Sequence, residues 1–283
     1  MEQKNKIIVI KNLIIIKLIR LLLKLFKINI DWASMKLFKD NYKENFFKKT
    51  SNKKITYYSS NVPDRYSENL HIYNEQTNFL DYSDINKWLT GNHQSNIGDL
   101  NRFFFINLCI DSLIEEKILG NVAEVGVYKG NSAYLLSKYA KLVNSKCYLF
   151  DTYNGFDNKD IVGFDVNQTN LFTDTSLEYV KNVIGENKNV VFIKGYFPES
   201  LDQVGEIDSF SLVHIDCDLE KPITESLKYF YPRLKKGGFL IMHDYSSLYW
   251  KGSKIAIDTF FMDKKEMIVP IADKSGSCVI RKI

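Results

Sequence analysis

The chain is poor in cysteine: four in 283 residues, at Cys109, Cys147, Cys217 and Cys278. They are far apart and form no Cys-x-x-Cys pair, which argues against a cysteine-held metal cluster. They read as small apolar residues of a reducing compartment. The Gly-x-Gly-x-x-Gly signature of dinucleotide binders is also missing, so a ligand with a pyrophosphate is disfavoured. No apolar run is free of charge over the length of a bilayer. The most apolar stretch, residues 7–28, is broken by Lys11, Lys17, Arg20, Lys24 and Lys27. No small-x-small site follows it, which argues against a cleaved signal peptide.

What is present is ordinary globular material, 45% hydrophobic and 25% charged. The charge is uneven. Residues 1–60 carry fourteen basic and four acidic side chains, and the remainder is mildly acidic. Three segments follow: a basic amphipathic helix over 1–30, an extension or linker over 31–98, and a regular α/β body over 99–283. In the first, Lys6, Lys17, Arg20, Lys24 and Lys27 share one side of a helical wheel, with Lys11 on the opposite side. That stripe suits a helix lying in a membrane interface through residues 6–28. A spanning helix and a helix packed on the body, or on a second copy in a homo-oligomer, are the alternatives. The expected location is the cytoplasm, with the arm at the inner face of a membrane where it is interfacial.

From Asp99 the pattern is regular. It predicts helices over 99–119, Ser132–Leu142, Thr175–Ile184, Pro222–Leu234 and Ser253–Met262. It predicts strands over 121–127, Cys147–Asp151, Val190–Lys194, Phe210–Asp216 and Phe239–His243. Met267–Ile271 and Cys278–Arg281 read as closing strands, and Gly237-Gly238 as the stop of the fourth helix. Short apolar strands alternating with helices imply a doubly wound, mostly parallel sheet covered on both faces. Ligands of such sheets bind beyond the carboxyl ends of the strands.

Four acids fall at those ends: Glu124, Asp151, Asp216 and Asp244. Glu124 opens a glycine loop, Glu-Val-Gly-Val-Tyr-Lys-Gly-Asn-Ser, in which Gly126 and Gly130 permit a tight turn under a ligand. Asp151, about 20 residues further on, is where a ribose is held in doubly wound folds. With Gly-x-x-x-Gly in place of the dinucleotide signature, S-adenosylmethionine is the natural candidate. The segment His214-Ile-Asp-Cys-Asp218 and the pair His243-Asp244 then crowd carboxylates together. Such acids repel unless a proton or a cation neutralises them, and a hard ion such as Mg²⁺ takes oxygen ligands of this kind.

Several stretches together resemble the macrocin O-methyltransferase family, which includes macrolide-sugar and novobiocin-sugar O-methyltransferases. They are Ala123–Ser132, Phe150–Phe156, Lys194–Leu201, His214–Leu219, Phe230–Gly238, His243–Tyr245 and Gly252–Phe260. The resemblance implies a seven-stranded, Rossmann-like class I methyltransferase fold that uses S-adenosylmethionine to methylate a sugar hydroxyl. It also implies roles. Glu124, Gly126, Tyr128, Gly130, Ser132, Asp151, Gly195 and Phe197 would bind the cofactor, the last two near the adenine. Asp216, His243 and Asp244 would hold a divalent metal, and Asp218 would be the general base. Two positions depart from the family pattern. His243 stands where the metal-dependent sugar enzymes have Asp, so it is a candidate base as well as a ligand. Glu220 stands where an aromatic is expected. The implied acceptor is a sugar or glycan. A nucleic-acid acceptor is disfavoured, because the basic residues are remote from the pocket and no Asn/Asp-Pro-Pro-aromatic motif occurs. Methylation of nitrogen or carbon on a small metabolite, and a non-catalytic cofactor-binding protein, are the rival readings.

Overall fold

The computed structural model describes residues 48–49, 55–56, 79, 99–169 and 171–283. The expected N-terminal helix over 1–30, and most of the 31–98 extension, lie outside the described residues. Two compact units divide at Ser60/Asn61. In the first, β1 (Lys48–Lys49) pairs antiparallel with β2 (Ile55–Thr56).

The second unit carries the α/β body. Its elements are α1 (Leu100–Glu115), β3 (Asn121–Val125), α2 (Asn131–Leu142), β4 (Cys147–Asp151), α3 (Leu177–Ile184) and β5 (Val190–Lys194). They continue with β6 (Phe210–Ile215), α4 (Glu220–Phe230), β7 (Leu234–Met242), α5 (Lys251–Phe261), β8 (Val269–Pro270) and β9 (Cys278–Arg281). The seven strands lie in the order β5-β4-β3-β6-β7-β9-β8, parallel from β5 to β7 with β9 antiparallel between β7 and β8. This is the expected mostly parallel, doubly wound sheet. The chain runs outward from β3 through β4 to β5, then returns to place β6 on the other side of β3. The strand tips of β3 and β6 therefore flank the switch in direction, where such sheets leave a crevice.

The central strands are apolar because both faces are covered: all of Phe210–Ile215 is buried. Each covering helix buries one stripe at helical spacing. On α4 this is Pro222, Ile223, Ser226, Leu227 and Phe230, and on α5 Gly252, Ser253, Ala256, Ile257 and Phe261. Phe230 anchors the core under the site. Its ring stacks on Phe197 and meets Phe150 and Phe210 edge-on, an arrangement worth about 0.5–1.5 kcal/mol per pair beyond burial.

One element differs from expectation. Gly237-Gly238 does not stop a helix; both residues lie inside β7. The fourth helix ends earlier, at Phe230, and a short turn over Tyr231–Arg233 containing Pro232 redirects the chain. Gly238 sits in the strand because β7 passes close to β6. A Cβ there would stand 2.8 Å from the Ser211 carbonyl oxygen. The register of β6 against β7 shifts at the same point. All four cysteines are free; Cys109, Cys147 and Cys278 are buried as expected, whereas Cys217 lies beyond the end of β6, is only partly buried and lines a cavity. Among the described residues, no helix is long and apolar enough to cross a membrane.

Candidate active site

The tips of β3, β4, β6 and β7 open into one cavity of about 310 Å³, at the lower end of the ~300–1,000 Å³ usual for small-molecule sites. Gly126, Tyr128, Ser132, Asp151, Gly195, Phe197, Asp216, Asp218, His243 and Asp244 all line it. Of the candidate residues only Glu124 and Gly130 stand back from the wall. Gly130 is the left-handed residue that starts α2. Glu124 is fully buried below the loop, where it accepts hydrogen bonds from Ser132 Oγ at 2.5 Å and His214 Nδ1 at 2.7 Å. These two bonds tie the loop to β6 from beneath.

The glycine loop is shaped by backbone constraint. Gly126 has φ +86°, and a Cβ at that position would stand 2.0 Å from the Asp216 carbonyl oxygen. Only glycine allows the loop to pass that close to the end of β6. Asp151 fixes the other side. One carboxylate oxygen accepts the N–H groups of Val127 (2.6 Å) and Tyr128 (2.8 Å), and the second accepts that of Tyr153 (2.6 Å). A carboxylate offers about four lone-pair sites, so Asp151 both orders the loop and retains an acceptor for a ligand hydroxyl. Tyr128 turns its ring to Phe172 and its hydroxyl to Asp174. Gly195 and Phe197 close the far wall below β5.

Four acids also gather at the site: Asp99, Asp216, Asp218 and Asp244. Asp218 and Asp244 both adopt positive φ, +61° and +60°. Left-handed backbone in a residue other than glycine costs about 1–3 kcal/mol and concentrates where function demands a fixed side chain. His243 lies between two of the acids, its Nδ1 2.6 Å from Asp216 Oδ1 and 2.8 Å from Asp244 Oδ2. Burial alone would lower the imidazole's affinity for protons. The Asp216 charge overrides it and carries the His243 pKa well above its ordinary value. Asp216 moves the other way: despite burial, His243 and Arg102 hold it well below the carboxylate range. Asp218 rises well above that range, through burial and then the neighbouring charges of Asp244 and Asp216. Two acids a few residues apart are thereby given opposite protonation behaviour, a pattern typical of catalytic sites.

Two contributors were not legible in the sequence. Arg102, on the first turn of α1, reaches Asp216 Oδ2 with a guanidinium N–H at 2.5 Å and Asp99 Oδ2 with Nε at 2.7 Å. An aromatic wall over the cavity comes from two loops: Trp250 meets Phe156 at 5.8 Å and Phe172 at 6.1 Å. Glu220, the departure from the aromatic pattern, opens α4, and its backbone N–H donates to the buried Asp165.

The site suits an adenosyl ligand. It has a glycine cradle that a Cβ would fill, a retained acceptor on Asp151, and an acidic end that favours positive charge. The fit for a divalent metal is poor. Donor atoms of Asp216, His243 and Asp244 do lie within 4.8 Å of one another. Yet both oxygens of Asp216 are engaged by Arg102 and His243, and the imidazole nitrogen facing the acids acts as a hydrogen-bond donor to them.

Known proteins bear out the reading of the fold. The model of the family described as Macrocin-O-methyltransferase (TylF) matches residues 35–282. Among curated proteins, the chain is similar to an 8-demethyl-8-(2,3-dimethoxy-alpha-L-rhamnosyl)-tetracenomycin-C 4'-O-methyltransferase of Streptomyces olivaceus. The two are 22% identical over 52% of this chain and 61% of the relative. It is likewise similar to the demethyldecarbamoylnovobiocin O-methyltransferase of Streptomyces niveus, at 23% identity over 50% and 58% of the two chains. The chain thus spans about three fifths of the length of these relatives. Among solved structures, the O-methyltransferase NovP superposes with a TM-score of 0.56 at 21% identity, over 64% of this chain and 79% of that one.

Proposed function

Because the chain belongs to the macrocin O-methyltransferase family, we propose that it transfers a methyl group from S-adenosylmethionine to a sugar hydroxyl of a glycosylated metabolite or glycan. The observation that carries this reading is the convergence of the glycine loop, Asp151 and the acid cluster on one cavity. When bound, S-adenosylmethionine supplies an electrophilic methyl on sulfur, and the difficult chemistry belongs to it.

The chain's own residues supply position and proton traffic. The loop from Gly126 to Ser132 and the Asp151 carboxylate fix the adenosyl end. The aromatic wall of Phe156, Phe172 and Trp250 excludes water and offers ring faces to an acceptor. An alcohol is a poor nucleophile until it loses its proton, so a base must stand at the acceptor oxygen. Asp218 is that base. It lines the cavity, and burial with the neighbouring charges of Asp244 and Asp216 raises its affinity for a proton above that of an ordinary carboxylate. His243 is committed to Asp216 and Asp244, and it positions them. A glycan carried at a membrane surface is the acceptor form that the basic N-terminal residues support.

The test is mass spectrometry of surface glycans and glycosylated metabolites from cells with and without the protein. The expected result is one species lighter by a CH₂ when the protein is absent. Unchanged glycan and metabolite masses would refute the assignment.

A further inference from the structure

We propose that the Arg102 guanidinium takes the place a divalent ion would hold at Asp216, so that methyl transfer at this site proceeds without a metal. This rests on the methyltransferase reading of the cavity given above.

The argument starts from the atoms available. Asp216 Oδ1 is 2.6 Å from His243 Nδ1, and Asp216 Oδ2 is 2.5 Å from a guanidinium nitrogen of Arg102. The same His243 Nδ1 is 2.8 Å from Asp244 Oδ2. A ring nitrogen this close to two carboxylate oxygens holds a hydrogen between them and has no lone pair for a metal. The spacing agrees. Bonds of about 2.1 Å around an octahedral Mg²⁺ would set neighbouring ligand atoms roughly 3 Å apart, wider than 2.6 Å. The remaining ring nitrogen, Nε2, lies on the side away from Asp216 and Asp244, 3.7 Å from Asp99. Imidazole is also a less apt ligand than oxygen for Mg²⁺.

Arg102 is built in as a substitute. Its side chain is only 14% exposed and is clamped at both edges, Nε to Asp99 and a terminal nitrogen to Asp216. A guanidinium keeps its charge at every pH a protein meets, and its planar fork suits carboxylates. It holds Asp216 against the repulsion of Asp218 and Asp244 as a bound cation would. Arg102 is therefore a positioning residue that acts through Asp216. The step it supports balances without an ion. The acceptor oxygen forms a bond to the methyl carbon, and the sulfur–carbon bond breaks. Asp218 receives the hydroxyl proton, leaving a methyl ether and S-adenosylhomocysteine.

The test titrates Mn²⁺ into the full-length protein after chelator treatment, read by electron paramagnetic resonance, with S-adenosylmethionine binding measured in parallel. Wild type is expected to bind S-adenosylmethionine and to show no saturable Mn²⁺ site below millimolar concentration. Arg102→Ala frees Asp216 Oδ2, so it should gain Mn²⁺ affinity by at least about ten-fold. Asp216→Asn in that background should abolish the gain, and Arg102→Lys, which keeps the charge without the fork, should gain less Mn²⁺ affinity than Arg102→Ala. Micromolar Mn²⁺ binding by wild type, lost on Asp216→Asn, would overturn the proposal; so would Arg102→Ala that binds no more Mn²⁺ than wild type. If Arg102→Ala does not fold, the wild-type titration decides alone. A wild type that binds no S-adenosylmethionine would instead defeat the functional reading, whatever Mn²⁺ does.

Discussion

Asp218→Asn binds S-adenosylmethionine as wild type does but transfers methyl groups about 10²–10⁴-fold more slowly, the contribution typical of a positioned base. The amide keeps the shape of the carboxyl and cannot accept a proton. The pH profile gives the sign. Burial and the charges of Asp244 and Asp216 raise the Asp218 pKa, while His243 pulls it down by less. A base works only when ionised. Wild-type activity therefore rises with pH through a midpoint well above the ordinary carboxylate range and falls as the pH drops below it. The variant loses this limb. Release of S-adenosylhomocysteine, assayed across pH with glycoside extracts from cells lacking the protein, reads both effects. A variant that keeps the wild-type rate and profile would remove Asp218 from the role of base.

Gly126→Ala strikes the glycine loop where it abuts the end of β6. The new Cβ would stand 2.0 Å from the Asp216 carbonyl oxygen, 2.6 Å from its carbon and 3.0 Å from the Cys217 nitrogen. All three are backbone atoms, so no rotamer change relieves the contact. The positive φ adds about 1–3 kcal/mol of strain. The loop must separate from the end of β6, carrying the cofactor cradle away from Asp216. S-adenosylmethionine affinity should fall by at least about 100-fold, equivalent to roughly 2.7 kcal/mol. Isothermal titration calorimetry on the purified variant checks this. Unaltered affinity would mean that the loop does not form the cradle.

These two residues also mark how far the sequence could be read. Acids and glycines at strand tips were legible because a parallel sheet has only one place to put them, beyond its carboxyl edge. The strands Cys147–Asp151 and Val190–Lys194 were bounded correctly because each is a short apolar run between polar turns. β7 was not. Leu234-Lys235-Lys236 lacks an apolar run, and a Gly-Gly pair normally ends an element, yet here it lets two strands approach. Arg102 was invisible for a different reason. The apolar face of α1 dominates its pattern, and nothing in local spacing says that its other face meets β6 more than a hundred residues later. The same holds for His243. Its presence at a strand tip suggested a metal ligand, but whether Nδ1 offers a lone pair or a hydrogen depends on distances to Asp216 and Asp244 that only the fold sets. The aromatic wall joins loops around Phe156, Phe172 and Trp250, which have no periodicity to link them.

A crystal structure of the protein with S-adenosylhomocysteine tests the account most directly. The ligand's ribose should lie against Asp151 at the tip of β4, and its sulfur should face the space between Asp216 and Asp218. A ligand bound away from the strand tips, or with its sulfur turned from those two acids, would contradict it.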